Sequence, residues 1–307
     1  MKNSQKNAPL LSARNGGLLV AFVIALALFG AVPSSANHPV LVEGNCDSPV
    51  PGTTIVEKGT CGDFDGDGRI GTAEDTDGAD RIFGTISAAL GPGTGAAAGT
   101  GANQNGRIII VKSGRFSEIV NASTNAMLNI QSTGHVQIEA APGVEANIDA
   151  VFQGDPAGGN NVRQEAIGVL VSLASGATAT LRNLTIRNFA IGIRQQGAGR
   201  LLLENCRIDN NRDFGVQVLN ESKVIIERTQ INGTGRRVGT ANNTTSFGHG
   251  VQLADLASGI FNKSSIMNAT GACVQNISSR GSLKFETLIV ECEGGGTIGS
   301  PLINGTY

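Results

Sequence analysis

Five segments in the second half of this chain repeat one another, and they constrain the fold more than any single residue does. They open at Ile167-Gly168-Val169, Ile191-Gly192-Ile193, Phe214-Gly215-Val216, His249-Gly250-Val251 and Ala272-Cys273-Val274, with middle positions 24, 23, 35 and 23 residues apart. The long interval is one period plus a 12-residue insertion. A unit this short has too little surface to enclose its own apolar side, so it has to stack on copies of itself into a solenoid.

Aligned, the units share two apolar columns: Leu181, Leu203, Ile226, Phe261 and Phe285, then Ile186, Ile208, Ile231, Ile266 and Val290. Between them stand Leu184, Cys206, Thr229, Ser264 and Leu288, small or apolar throughout. Alternation at period two around these columns marks short strands with one face inward. Asn188, Asn210 and Asn268 follow the second column, placed for amide hydrogen bonds from coil to coil. A leucine-rich repeat has an overlapping period, and Leu203-x-x-Cys206-x-Ile208-x-x-Asn211 fits its pattern. The other units place Phe189, Thr234, Ala269 and Glu293 where that pattern needs Asn, and no half-unit has helical periodicity. The expected fold is therefore all-β, a right-handed parallel β-helix. The 43 Gly and the absence of Trp agree with a turn-rich β chain.

Upstream, residues 85–90 predict a short amphipathic helix, and strand-like sequence begins at 108–111. A helix placed before the first coil would cap the open end of the solenoid. Four stretches are specific: Thr85-Ile86-x-x-Ala89-Leu90, Val111-x-x-Gly114-x-Phe116-x-Glu118, the run 135–144 and Leu203-Glu204-Asn205-Cys206. Together they resemble secreted bacterial proteins of the pectin-lyase-like, right-handed β-helix superfamily, over about 85–293. The resemblance implies the fold but no single reaction, because the superfamily includes lyases, hydrolases, esterases, epimerases and members without known activity.

Residues 1–36 form a separate segment, with Lys2, Lys6 and Arg14 before an apolar run at 17–32 and small residues at Ser34 and Ala36. This is the pattern of an export signal cleaved before Asn37, and the run is short for a bilayer span. The expected order is a signal peptide at 1–36, an N-terminal segment at 37–80, the β-helix at 81–293 and a C-terminal tail at 294–307. The predicted location is secreted, extracellular or periplasmic, with no membrane span after cleavage. Removing 1–36 takes three of the 23 basic residues and none of the 25 acids, so nothing basic enough for nucleic acid remains.

Residues 43–80 hold ten acids against Lys58 and Arg69. Within them, 63–74 match D-x-[DN]-x-[DN]-G-x5-E at every constrained position. Asp63, Asp65 and Asp67 offer side-chain oxygens, Gly68 allows the sharp turn, Arg69 offers its carbonyl, and Glu74 closes the sphere with two oxygens. The loop resembles an EF-hand or dockerin-type calcium loop. The preceding residues, 49–62, contain two Pro and three Gly and do not read as an entering helix. A calcium ion that stiffens the N-terminal region is expected rather than a paired sensor.

Disulfides are permitted outside the cell. Cys46 and Cys61 bracket a short loop beside the acidic segment and make a candidate bridge. Cys273 and Cys292 lie 19 apart and meet only across a tight turn, whereas Cys206 falls on an inward position and reads as a buried free thiol.

Two further motifs invite a catalytic or binding reading. Gly248-His249-Gly250 resembles the Gly-His-Gly of polygalacturonases, but Gly250 is the recurrent glycine and His249 falls in the column of Ile167, Ile191 and Phe214. No carboxylate pair accompanies it at the expected places. The outward column Arg194, Gln217, Gln252 and Gln275 supplies hydrogen bonds but no general base, and it reads as an amide ladder. With no Trp and a lone Tyr307, platforms for stacking sugars are few. The insertion at 233–248 carries Arg236, Arg237, Asn242 and Asn243 and projects from the wall.

The sequence therefore points to a secreted, calcium-binding β-helix with a surface-interaction or structural role. Its expected partner is an extracellular polysaccharide or a cell-surface component. The alternative is a polysaccharide-active lyase or hydrolase whose catalytic residues are unassigned. A C-terminal end without an evident cap points to a second subunit and a homo-oligomer.

Overall fold

The computed structural model describes residues 40–42, 82–83, 85–90, 105–116, 118, 120–150, 165–235, 248–293, 297–299 and 303–304. All belong to the compact unit His38–Tyr307. The expected signal peptide 1–36, the expected calcium loop 63–74, the candidate bridge Cys46–Cys61 and the insertion residues 236–247 lie outside the described residues.

The named strands build three parallel sheets, here A, B and C, of ten, seven and seven strands. One coil runs Thr178–Arg182 in A, Leu184–Arg187 in B and Ile191–Gly197 in C, and the next begins at Arg200–Glu204 in A. The pairing keeps the register that the repeat predicts. Leu181, Leu203, Ile226, Phe261 and Phe285 stack in sheet A. Ile186, Ile208, Ile231, Ile266 and Val290 stack in sheet B. Val169, Ile193, Val216, Val251 and Val274 stack in sheet C. All but the partly buried Val290 are buried in one continuous core, each aliphatic side chain contributing roughly 1.5–3 kcal/mol by leaving water.

The recurrent glycine is a steric requirement. A Cβ on Gly168 would stand 2.7 Å from the carbonyl oxygen of Gly192, one on Gly192 2.7 Å from that of Gly215, and one on Gly215 2.6 Å from that of Gly250. The fifth unit has Cys273 at this position, and its side chain forms a disulfide with Cys292 across a Cα–Cα distance of 5.5 Å. The turn between the two is therefore as tight as the 19-residue spacing demanded.

Each of the following corners contains a residue with left-handed backbone. Asn183, Asn205, Arg228 and Lys263 link sheets A and B with φ of 58°, 52°, 48° and 49°. Asn188, Asn210, Gly233 and Asn268 stand at the B-to-C corner with φ of 67°, 52°, 68° and 55°. Asn recurs because its short polar side chain tolerates this region. Asn188 and Asn268 make the expected coil-to-coil amide bonds, but with other residues rather than with one another. Asn188 Nδ2 donates to Asp149 Oδ1 at 2.7 Å, and Asn268 Nδ2 donates to Asn232 Oδ1 at 2.8 Å. A second coil-to-coil Asn pair is at the other corner, where Asn205 Nδ2 meets Asn183 Oδ1 at 2.8 Å.

The small-residue column between sheets A and B has a reason to be small and weakly polar. Cys206 Sγ donates to the Leu181 carbonyl at 3.3 Å, and the hydroxyls of Thr229 and Ser264 are shared between the carbonyls of Glu227 and Asn262 at 2.9 Å and those of Leu203 and Ile226 at 3.4 and 3.1 Å. The oxygens of Thr229 and Ser264 in turn accept the N–H groups of Cys206 and Thr229 at 3.2 Å. These side chains carry the hydrogen-bond ladder across a corner where the strands break, so buried backbone groups stay paired. Cys206 is a buried free thiol, as its column predicted, and burial pushes its pKa up to about 11.

At the N-terminal end, the helix Ile86–Leu90 (α1) closes the core as expected, burying Ile86, Ala89 and Leu90 against it. Its first amides are held by Glu118, whose Oε1 accepts from Ile86 N at 2.6 Å and whose Oε2 accepts from Ser87 N at 2.8 Å. The solenoid also passes the expected limits of 81–293. Val40–Val42 pairs between Ile82–Phe83 and Gly106–Ile110 in sheet A. Thr297–Gly299 and Ile303–Asn304 extend sheets C and A within 294–307. Edge strands offer unpaired amides and carbonyls, which short flanking peptides satisfy.

Candidate functional site

A groove of about 720 Å³ lies over the outer face of sheet B. Its floor comes from side chains that alternate with the Ile column. Asn147, Thr185, Arg207 and Gln230 occupy one row across successive coils. Arg187 and Asp209 belong to the next row, with Asp149 buried behind them. One wall is the 141–145 connection, longer than the one- or two-residue corners between sheets A and B in later coils. Ala141-Pro142-Gly143-Val144 makes a turn closed by Val144 N to Ala141 O at 3.0 Å, with Gly143 at φ 81°. Proline second and a positive-φ glycine third is what a type II turn requires.

Charges in the groove are held in place. Asp149 is only 1% exposed; its Oδ2 accepts from Arg187 Nε at 2.9 Å, and Arg115 Nε lies 3.9 Å away. Arg207 pairs with Asp209, which is 4% exposed. Burial raises the Asp209 pKa above the usual Asp value, while Arg207 and Arg187 act against that rise. Among the described residues, Asp209 Oδ1 and Asn188 Oδ1 are buried acceptors without a hydrogen-bond partner. The Arg207 side chain remains 60% exposed, so its guanidinium is both oriented and accessible. An accessible guanidinium and neighbouring amide groups are able to donate paired hydrogen bonds to hydroxyls or carboxylates.

The predicted outward column on sheet C is a one-directional ladder. Arg194 Nε donates to Gln217 Oε1 at 2.7 Å, Gln217 Nε2 to Gln252 Oε1 at 2.6 Å, and Gln252 Nε2 to Gln275 Oε1 at 2.6 Å. Gln217 and Gln252 are buried, and bonding between neighbours occupies their amides. The ladder fastens coil to coil.

His249 sits in the scaffold. Its ring stacks on Phe214 at 6.0 Å, and its Nδ1 accepts the Ala272 N–H at 2.9 Å. Burial holds its pKa below the ordinary histidine value. The glycines around it are demanded by the backbone: Gly248 has φ 83°, and a Cβ on Gly250 would meet Ile266 Cγ2 at 2.3 Å.

Sequence reasoning aligned the Ile column yet missed the groove beside it. The signal was present in the flanking residues: Thr185 and Arg187 around Ile186, Arg207 and Asp209 around Ile208, Gln230 and Asn232 around Ile231.

Three parallel sheets wound coil upon coil, with a polar groove on one face, define a parallel β-solenoid. Residues 115–289 match the family model described as right handed beta helix region, and the chain belongs to that family. A crystal structure of pectate lyase Pel9A is similar at 13% identity, covering 61% of this chain and 69% of that chain with a TM-score of 0.33. No curated protein matches the chain.

Proposed function

We propose that the protein is a secreted β-helix that binds an extracellular polysaccharide along sheet B, with a surface-interaction or structural role. The observation that carries this reading is the row Asn147, Thr185, Arg207 and Gln230, set out one per coil. Neighbouring strands lie about 4.8 Å apart, so a chain polymer aligned with the solenoid meets a planar or hydroxylic side chain at each step. A calcium ion held by Asp63, Asp65, Asp67, Arg69 and Glu74 stiffens the N-terminal region on this reading, as the loop pattern supports. The test is a glycan array of neutral and acidic polysaccharides, followed by calorimetry. Arg207→Ala should weaken the captured glycan about tenfold or more, in line with about 1.5–3 kcal/mol for a charge-assisted bond. Equal binding by wild type and Arg207→Ala sinks the groove as the site.

One observation favours the enzymatic alternative. Asp209 is a buried carboxyl of raised pKa on the groove floor, the condition in which a carboxyl serves as a general acid. Assays for reducing-end or unsaturated products, with Asp209→Asn as control, separate a hydrolase or lyase from a binding protein.

A further inference from the structure

We infer that the outer face of sheet A is a self-association surface that pairs two copies of this chain about a two-fold axis parallel to the solenoid. The inference is independent of the groove, which lies on sheet B.

The face carries three rows. The central row runs Gln137, Thr180, Leu202, Ile225, Ile260 and Lys284, with Leu202 and Ile225 half-buried, Ile260 37% exposed and Lys284 paired with Glu286 of its own chain. On one side are Thr178, the exposed cations Arg200 and Lys223, and Ser258. On the other side are Arg182, Glu204, Glu227 and Asn262. A half-buried aliphatic stretch with Arg200 and Lys223 on one side and Glu204 and Glu227 on the other is self-complementary in one orientation only.

Turning a second copy about an axis parallel to the solenoid reverses its strands and exchanges the outer rows, while each coil stays level with its counterpart. Lys223 then faces Glu227 of the second copy, Arg200 faces Glu204, and Leu202 and Ile225 lie on their own equivalents. An axis along the strands would instead set basic row on basic row and acidic row on acidic row, which like-charge repulsion opposes. Isologous contact between identical patches is the usual geometry of a two-fold dimer.

Glu204 is already shared by Arg182, at 2.6 Å, and by Arg228, whereas Glu227 has Arg228 as its neighbour. Lys223 has a formal charge and no ion pair within its own chain among the described residues. The Lys223 to Glu227 contact is accordingly the pair on which orientation depends.

Sedimentation velocity of the purified protein over a concentration series tests this. The expected result is a monomer–dimer equilibrium that weakens as salt is raised. Lys223→Glu should abolish dimer formation at every concentration, and the double variant Lys223→Glu with Glu227→Lys should restore it, because the exchanged charges again meet across the two-fold. Melting curves of both variants show that they fold. A protein that stays monomeric throughout, or a dimer indifferent to Lys223→Glu, overturns the inference.

Discussion

Gly215 lies so close to Gly250 that a Cβ on the first would stand 2.6 Å from the carbonyl oxygen of the second and 2.6 Å from Ile231 Cγ2. Neither neighbour is the free end of a flexible chain, so the coil itself has to shift. Gly215→Ala should lower stability by roughly 2–3 kcal/mol, the cost of overpacking a closed core. For a domain of this size, that is about 4–12 °C in melting temperature. Thermal unfolding followed by circular dichroism measures it, and an unchanged melt would refute the close-approach account.

Lys263 occupies a left-handed corner at φ 49° where the equivalent residues Asn183 and Asn205 are asparagines. The left-handed backbone costs an ordinary L-residue about 1–2 kcal/mol, and Asn adopts it more readily. Lys263→Asn should therefore stabilise the protein by about 0.5–1 kcal/mol, while Asn205→Ala moves the melting temperature the other way. Comparison of urea midpoints at equal slope checks both signs.

The Cys273–Cys292 bridge closes a loop with a sequence separation of 19 residues near the C-terminal end of the solenoid. Loop-closure entropy puts its contribution at about 3 kcal/mol. Cys292→Ser should lower the melting temperature, and reducing agent should have no further effect on that variant. Cys206, buried with its pKa pushed up to about 11, should resist thiol reagents until the chain unfolds. Rapid labelling of native Cys206 contradicts that.

Asp209 has its pKa raised in the folded protein from the ordinary value of 3.8. The native state then holds more protons than the unfolded state between the ordinary value and the raised one, so stability from this group declines as pH rises through that window. Asp209→Asn should remove this slope. His249 works in the opposite sense: its folded pKa lies below the ordinary 6.5, so its contribution is present above that value and is lost on acidification through the lowered one. Melting temperatures of wild type and Asp209→Asn from pH 3.5 to 7 resolve the carboxyl; a difference that does not vary with pH disproves it.

Calcium bound at 63–74 should raise the melting temperature, and the triple change of Asp63, Asp65 and Asp67 to Ala should abolish the rise. Ligand present at about 100 times its dissociation constant stabilises by roughly 2.7 kcal/mol. A native protein whose melt ignores calcium and chelator alike rules the site out.

Much of the fold was legible in one dimension because a solenoid converts sequence period into spatial neighbourhood. Leu203 and Ile226 stack because they are one period apart, and the same holds for Ile208 and Ile231. The recurrent glycine was readable as a pattern, but its cause, the carbonyl of the next coil, exists only once coils are stacked. The Asn column was readable only in part: its coil-to-coil amide bonds followed from the period, whereas the left-handed backbone that also favours Asn there shows only in the structure.

The sequence by itself determined the repeat, the inward columns, the capping helix and the fate of Gly248-His249-Gly250 as scaffold, since each follows from which residues recur. Only the tertiary structure decided the groove and the self-complementary face. Both depend on which outward side chains from different coils share one sheet, and on how burial and ion pairs fix them. Arg187 gains its meaning from Asp149, 38 residues earlier in the chain and one strand away in space.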